Sequence, residues 1–232
     1  MQQETNKFII KTFDVGPMQN LIYIISDIKT KEAAIIDPAW DLAKPNEYIK
    51  KNNLILKKIF LTHSHHDHVN AIDEVLKHND VQIYINKKEY SFWGKSFDNI
   101  EITESGDTIK LGESEIKSIH TPGHTPGSVC YMIGNNLIAG DTLFVYGCGR
   151  CDLHGGSPED MFSSLKNLKN KLPNSTLILP GHDYSVKKIS TMSEQIEGNP
   201  FFHFNDLDKF INYRMDVHDR TRHEPYDFIK KK

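Results

Sequence analysis

The stretch "FLTHSHHDHVNAI", residues 60–72, places His63, His65, His66, Asp67 and His68 within six positions, directly behind the apolar run "LILKKIFL". Donors that titrate or bind metal, crowded on one loop, would disturb a packed interior unless something holds them. Three further segments repeat the pattern of an apolar run followed by such a donor. His124 sits between the Pro/Gly corners of "TPGHTPGS" behind "EIKSIH", Asp141 follows "NLIAG", and His182 follows "LILP" in "GHDY". Four predicted strands thus bring five histidines, with His66 beside them, and two aspartates toward what can be one edge. Imidazole and carboxylate together suit zinc, iron(II) or manganese. The spacing His-x-His-x-Asp-His lets one tight turn point alternate residues at two neighbouring positions. Three protein ligands per metal leave a place for water, as catalytic sites require. Seven ligands suit two metals sharing one carboxylate.

The elements that must position these donors are mostly short. Strands are expected over 8–13, 21–26, 33–37, 54–61, 81–85, 115–120, 128–133, 135–140 and 175–180, with "DIKTKE" as a hairpin turn. Helices are expected over 42–53, 68–79 and 157–172, the last capped by Ser157 with Pro158 in its first turn. From Ser190 the pattern turns helical and polar. In layered α/β proteins, loops at strand ends are where ligands bind.

The 232 residues suit one large domain with a small appendage, drawn here as a catalytic domain over 1–200 and a helical, polar extension over 201–232. Basic and acidic residues nearly cancel, 28 against 31, which gives no global field for nucleic acid or an anionic membrane. No apolar run is long enough for a membrane span, and the N-terminus lacks the features of a signal peptide. Three cysteines argue against a disulfide framework and for a reducing cytoplasm. Cys148 and Cys151 form "CGRC" in a glycine-rich loop with no second ligand pair nearby, and are read as free thiols.

Taken in order, "THSHHDH", "TPGHTPGS", "AGDTLF", "GCGR" and "PGHDY" resemble the metallo-β-lactamase superfamily from about Asn20 to Pro200. The resemblance implies an α/β fold: a four-layer αββα sandwich of two mixed β-sheets flanked by helices, with the metal site at one edge. Carried over position by position, it makes His63, His65 and His124 ligands of a first metal. Asp67, His68 and His182 become ligands of a second, and Asp141 the bridging carboxylate. Two divalent ions are implied, zinc first, with iron or a mixed pair as alternatives. A hydroxide between them would attack a carbonyl, and the catalytic carboxylates Asp67 and Asp141 would orient it and receive its proton. His66 is surplus to the pattern, and His120, His154, His203, His218 and His223 receive no role, although His154 lies in a loop that can border the substrate.

"GDTLFVYGCGR" and "GHDY" resemble the glyoxalase II branch, which hydrolyses glutathione thioesters. In that branch Arg150 and Tyr184 would hold the thiol portion of the substrate. Two features depart from it: Asp183-Tyr184-Ser185 replaces a Glu-Tyr-Thr pattern, and only residues 183–232 follow the last ligand. Arg214, Arg220 and Arg222 are the arginines of that segment. Thioesters of coenzyme A or of a carrier-protein arm therefore stay open beside glutathione. A rival from another reaction class is a mono-iron persulfide dioxygenase, resembled by "GCGRCDLHGG" and "ISTMSEQIEGNP", acting on glutathione persulfide. It would use His63 or His65, His124 and Asp141. A non-enzymatic scaffold is disfavoured because no ligand is replaced.

Overall fold

Every residue of β2 (Asn20–Asp27) is buried, and a strand with no solvent face must lie between two covering layers. The computed structural model, which describes residues 7–221 and 223–230, supplies both. Along β2, Leu21, Tyr23 and Ile25 join one apolar cluster while Ile22 and Ile24 join another, as the two-residue period of a strand demands.

The first sheet runs in the order β1 (Phe8–Val15), β2, β3 (Glu32–Ile36), β4 (Ile55–Phe60), β5 (Gln82–Asn86) and β6 (Ile100–Thr103). Its β1–β2–β3 portion is antiparallel, and the rest is parallel. The second sheet comprises β7 (Thr108–Leu111), β8 (Ser114–His120), β9 (Val129–Ile133), β10 (Asn136–Gly140), β13 (Leu177–Pro180) and β14 (Ser190–Thr191), with β10 and β13 parallel and its other pairs antiparallel. Between the sheets lie Tyr23, Ile36, Phe60, Ile116, Tyr131, Ile138 and Leu179. Outside the first sheet pack α1 (Ala43–Lys51), α3 (Ile72–His78) and α4 (Lys87–Trp93); outside the second pack α5 (Pro158–Lys171), α6 (Met192–Gly198) and α7 (Leu207–Asn212). The result is the expected helix–sheet–sheet–helix sandwich. Among the described residues, no helix is long and apolar enough to cross a membrane.

Ser157 caps α5 as expected, its hydroxyl accepting from the Asp160 N–H at 3.1 Å with Pro158 in the first turn. The helix expected over 68–79 is instead two pieces, α2 (His66–Val69) and α3. The chain breaks at Asn70 and Ala71 because both are bound elsewhere. The Asn70 side chain accepts from the Trp40 N–H, and the Ala71 N–H donates to the Pro38 carbonyl. The glycine-rich segment read as a loop contains a two-rung ladder between β11 (Leu143–Phe144) and β12 (Gly147–Cys148).

Candidate metal centre

Each donor-bearing loop leaves the C-terminal end of its strand: β4 leads to His63, β8 to His124, β10 to Asp141 and β13 to His182. Two buried tyrosines knit the sheets together at this edge. Tyr23 of the first sheet donates to the Pro180 carbonyl of the second at 2.6 Å, and Tyr131 of the second donates to the Leu61 carbonyl of the first at 2.9 Å. A buried phenol needs such an acceptor. Backbone bonds from Leu21 to Gly181 (2.7 Å) and from Val129 to Thr62 (2.9 Å) add to the seam. The loops that carry the donors are therefore anchored within a few residues of each one.

Two groups of side chains offer ligand atoms within 4.8 Å of one another: His63, His65 and His124, and Asp67, His68 and His182. In the first, His65 Nδ1 lies 2.9 Å from His124 Nε2; in the second, His68 Nε2 lies 3.1 Å from His182 Nε2. Asp141 stands between the groups, 3.4 Å from His124 Nε2, from His182 Nε2 and from His68 Nε2. All seven sequence-predicted donors thus meet in one place.

The far nitrogen of four rings fixes which way each ring points its lone pair. His124 Nδ1 donates to the Arg150 carbonyl at 2.7 Å, His182 Nδ1 to the Met18 carbonyl at 2.8 Å, and His68 Nδ1 to the Asp37 carboxylate at 3.0 Å. His63 Nδ1 lies 3.1 Å from the Thr62 hydroxyl, which itself donates to Asp37 at 2.6 Å and so accepts from the ring. Each Nε2 faces the centre, with its lone pair free in the neutral ring, the tautomer a metal ligand needs; at His68 a metal would displace the Nε2 proton. His63 Nε2 and Asp141 Oδ1 are buried without any hydrogen-bond partner, which fits a cation as the missing neighbour.

The electrostatics agree with this crowding. Burial pushes His63 well below the ordinary histidine value and His124 down to about 4, with neighbouring imidazoles adding to the effect. His65 is lowered mainly by burial. Burial also opposes charge on His68, but Asp141 and Asp37 outweigh it and raise the group to about 9. Asp141 is held well below the usual carboxylate range despite burial, chiefly by His182 and His68.

Three supporting residues escaped the sequence reading. Asp37, at φ +50° and 2% exposed, uses Oδ1 for the Thr62 N–H (2.7 Å) and Oδ2 for Thr62 and His68. Asp37, His63 and His68 also bring donor atoms within 4.8 Å, but the Asp37 oxygens are already engaged, so its part is to orient rings. Its signal was present, because it ends the run "AAIID" as Asp141 follows "NLIAG". Asn20 donates to both the carbonyl and Oδ2 of Asp67 at 2.9 Å and accepts from Trp40 Nε1 at 2.8 Å. Glu89 is buried beneath the His63 and His124 loops. Neither Asn20 nor Glu89 carried a local signal.

The centre opens into a cavity of about 900 Å³. Met18, Phe144, Leu153, Tyr184 and Tyr226 supply apolar wall, and Arg150 and Arg214 supply charge. The Tyr184 ring stacks on His182 at 4.5 Å. Arg150 forks onto Asp152 (2.8 and 2.5 Å) while its carbonyl holds His124. The C-terminal segment is stitched to this wall: the Tyr226 N–H donates to the Tyr184 carbonyl at 2.8 Å, and Val186 donates to that of Tyr226 at 3.1 Å. Arg214 is buried against Cys148, Arg220 is exposed, and Arg222 lies outside the described residues. His66 is exposed, edge-on to Trp40; His120 bonds the Pro126 carbonyl and His154 stacks on Phe92. Cys130, Cys148 and Cys151 are free and buried.

Comparison with known proteins agrees with this geometry. The Metallo-beta-lactamase superfamily model matches residues 15–182. The chain is 33% identical to the "Probable polyketide biosynthesis zinc-dependent hydrolase PksB" of Bacillus subtilis, over 88% of this chain and 93% of that protein. It is 32% identical to a hydroxyacylglutathione hydrolase of Dictyostelium discoideum, over 81% of this chain and 72% of that one. Among solved structures, ETHE1 from Myxococcus xanthus superposes with a TM-score of 0.82 at 27% identity, covering 90% of this chain and 91% of its own. The family match spans most of the chain and the two sheets, the flanking helices and the His/Asp clusters accord with it, so the protein belongs to the metallo-beta-lactamase superfamily.

Proposed function

We infer that the protein is a metal-dependent hydrolase of acyl thioesters that works with two divalent cations, zinc first among them. One observation carries the reading: the donor atoms of two groups converge around Asp141, and His63 Nε2 and Asp141 Oδ1 among them are buried with no hydrogen-bond partner, a need that bound cations would meet. His63, His65 and His124 would hold one ion, Asp67, His68 and His182 the other, and Asp141 would be shared. Ions held there would supply an acidified water as nucleophile at neutral pH and polarise the scissile carbonyl. Asp67, steadied by Asn20, and Asp141 would orient that water and receive its proton. Burial of His63, His68 and His182 keeps bulk water from competing.

On the substrate side, Tyr184 and Phe144 form a wall beside His182 against which the thiol portion would lie. Arg150, at the rim, exchanges Asp152 for an anionic group of the thiol portion. Residues 201–232 serve as an extension of the 1–200 catalytic domain, with Phe201 and Phe210 in its core and Tyr226 in the pocket wall. The relatedness to a hydroxyacylglutathione hydrolase supports thioester chemistry, and that to a zinc-dependent hydrolase supports zinc. Glutathione, coenzyme A and carrier-protein arms all present that bond. Free, buried thiols suit the cytoplasm.

The likeness to ETHE1, together with the "GCGRCDLHGG" stretch, favours one second reading, a mono-iron persulfide dioxygenase. Elemental analysis of protein purified without a chelating tag separates the two. About two metals per chain, with turnover on a thioester panel, is the expected result. One iron per chain and oxygen uptake with glutathione persulfide would replace the hydrolase by the dioxygenase. A folded protein without metal would sink both.

A further inference from the structure

Glu89, on α4, is 1% exposed, yet its carboxylate takes four hydrogen bonds. Oε1 accepts from the Ser64 N–H at 2.7 Å and the Ser64 hydroxyl at 2.6 Å. Oε2 accepts from the Thr125 hydroxyl at 2.7 Å and the Gly127 N–H at 3.0 Å. Ser64 stands between His63 and His65, and Thr125 directly follows His124. One side chain therefore clasps the two loops that carry His63, His65 and His124. The approach is as close as a chain allows, since a Cβ on Gly127 would collide with the α4 backbone at Glu89. The other donors are steadied by different groups: Asp67 by Asn20, His68 by Asp37 and His182 by the Met18 carbonyl.

We propose that Glu89 is a positioning residue that holds the His63/His65/His124 position in its binding geometry and tunes the metal affinity of that position alone. The proposal rests on the two-position reading above. An apolar side chain could fill the same space but would leave four donors unsatisfied. An amide fails too, for a specific reason. Each Glu89 oxygen faces a backbone N–H, which cannot reverse, so either orientation of a glutamine sets its NH₂ against Ser64 or Gly127. The two loops must then part, and the 2.9 Å approach of His65 Nδ1 to His124 Nε2 is lost.

The test measures zinc affinity by competition with a chromophoric chelator, without using turnover. His182→Ala protein retains the first position and His124→Ala protein retains the second. Adding Glu89→Gln is expected to weaken zinc about 10–100-fold in the His182→Ala background and to leave the His124→Ala background unchanged. Thr125→Val and Ser64→Ala each remove one bond and should give smaller losses at the first position only, which keeps the test open if Glu89→Gln does not fold. Equal losses in both backgrounds would reduce Glu89 to a general brace, and no loss in either would leave it without a role; both overturn the proposal. Failure of the wild-type protein to bind zinc would overturn the two-position reading, and this inference with it.

Discussion

Replacing Asp37 by asparagine should disable both metal positions at once, although Asp37 ligates neither. Its Oδ1 accepts the Thr62 N–H at 2.7 Å, a backbone donor that forces the carbonyl oxygen of an asparagine to that side. The new NH₂ then replaces Oδ2, which accepts from His68 Nδ1 at 3.0 Å and from the Thr62 hydroxyl at 2.6 Å. His68 must now accept at Nδ1, so its proton moves to Nε2 and blocks the lone pair. Thr62 turns to accept from the amide and redirects its own hydrogen to His63 Nδ1, 3.1 Å away, which drives the His63 proton to Nε2 as well. Loss of such an orienting partner costs about 10–100-fold in metal affinity, or roughly 1.4–2.8 kcal/mol at about 1.4 kcal/mol per decade. Here the penalty falls on each position. Competition titration of Asp37→Asn against wild type reads it directly, with circular dichroism to verify the fold. Wild-type affinity at both positions would refute the tautomer argument. A loss at the second position alone would refute only the Thr62 relay.

His124→Ala and Asp141→Asn should each abolish turnover with the fold retained; near-wild-type turnover in either would show that the site is misassigned. Arg150→Ala should raise KM for an anionic thioester more than it lowers kcat, whereas an unchanged KM would make the Arg150–Asp152 pair a brace for the loop. Asp27 lies far from the centre and tests stability instead. Burial would raise its pKa, but bonds from Thr30, Ser114 and Glu113 lower it overall. A depressed carboxylate stabilises the fold above its unfolded pKa, about 3.9, and loses that contribution as pH falls through the lower folded value. Asp27→Asn should therefore cost about 1.5–3 kcal/mol in denaturant unfolding at pH 7, with the gap to wild type narrowing below about pH 4. A gap independent of pH would mean that packing is the cause.

Nine of the strands and the seven donors were legible because both are local; β6, β7, β14 and the short β11–β12 pair were not expected. An apolar run of period two declares a strand, and a donor directly behind it declares where that strand's loop points. The capped start of α5 at Ser157 is local in the same sense. The break at Asn70 was not, because the groups that capture Asn70 and Ala71 come from Trp40 and Pro38. Glu89 and Asn20 looked like ordinary polar residues until the fold set them beside Ser64 and Asp67. Residue types and spacing by themselves determined that histidines and carboxylates gather in number at strand ends. Only the tertiary structure decided that the lone pairs face inward, because the acceptors that set the His68 and His182 tautomers lie 31 and 164 residues away in the chain. A ring's lone pair points opposite its donated proton, and the acceptor of that proton is supplied by whatever the fold packs behind the ring.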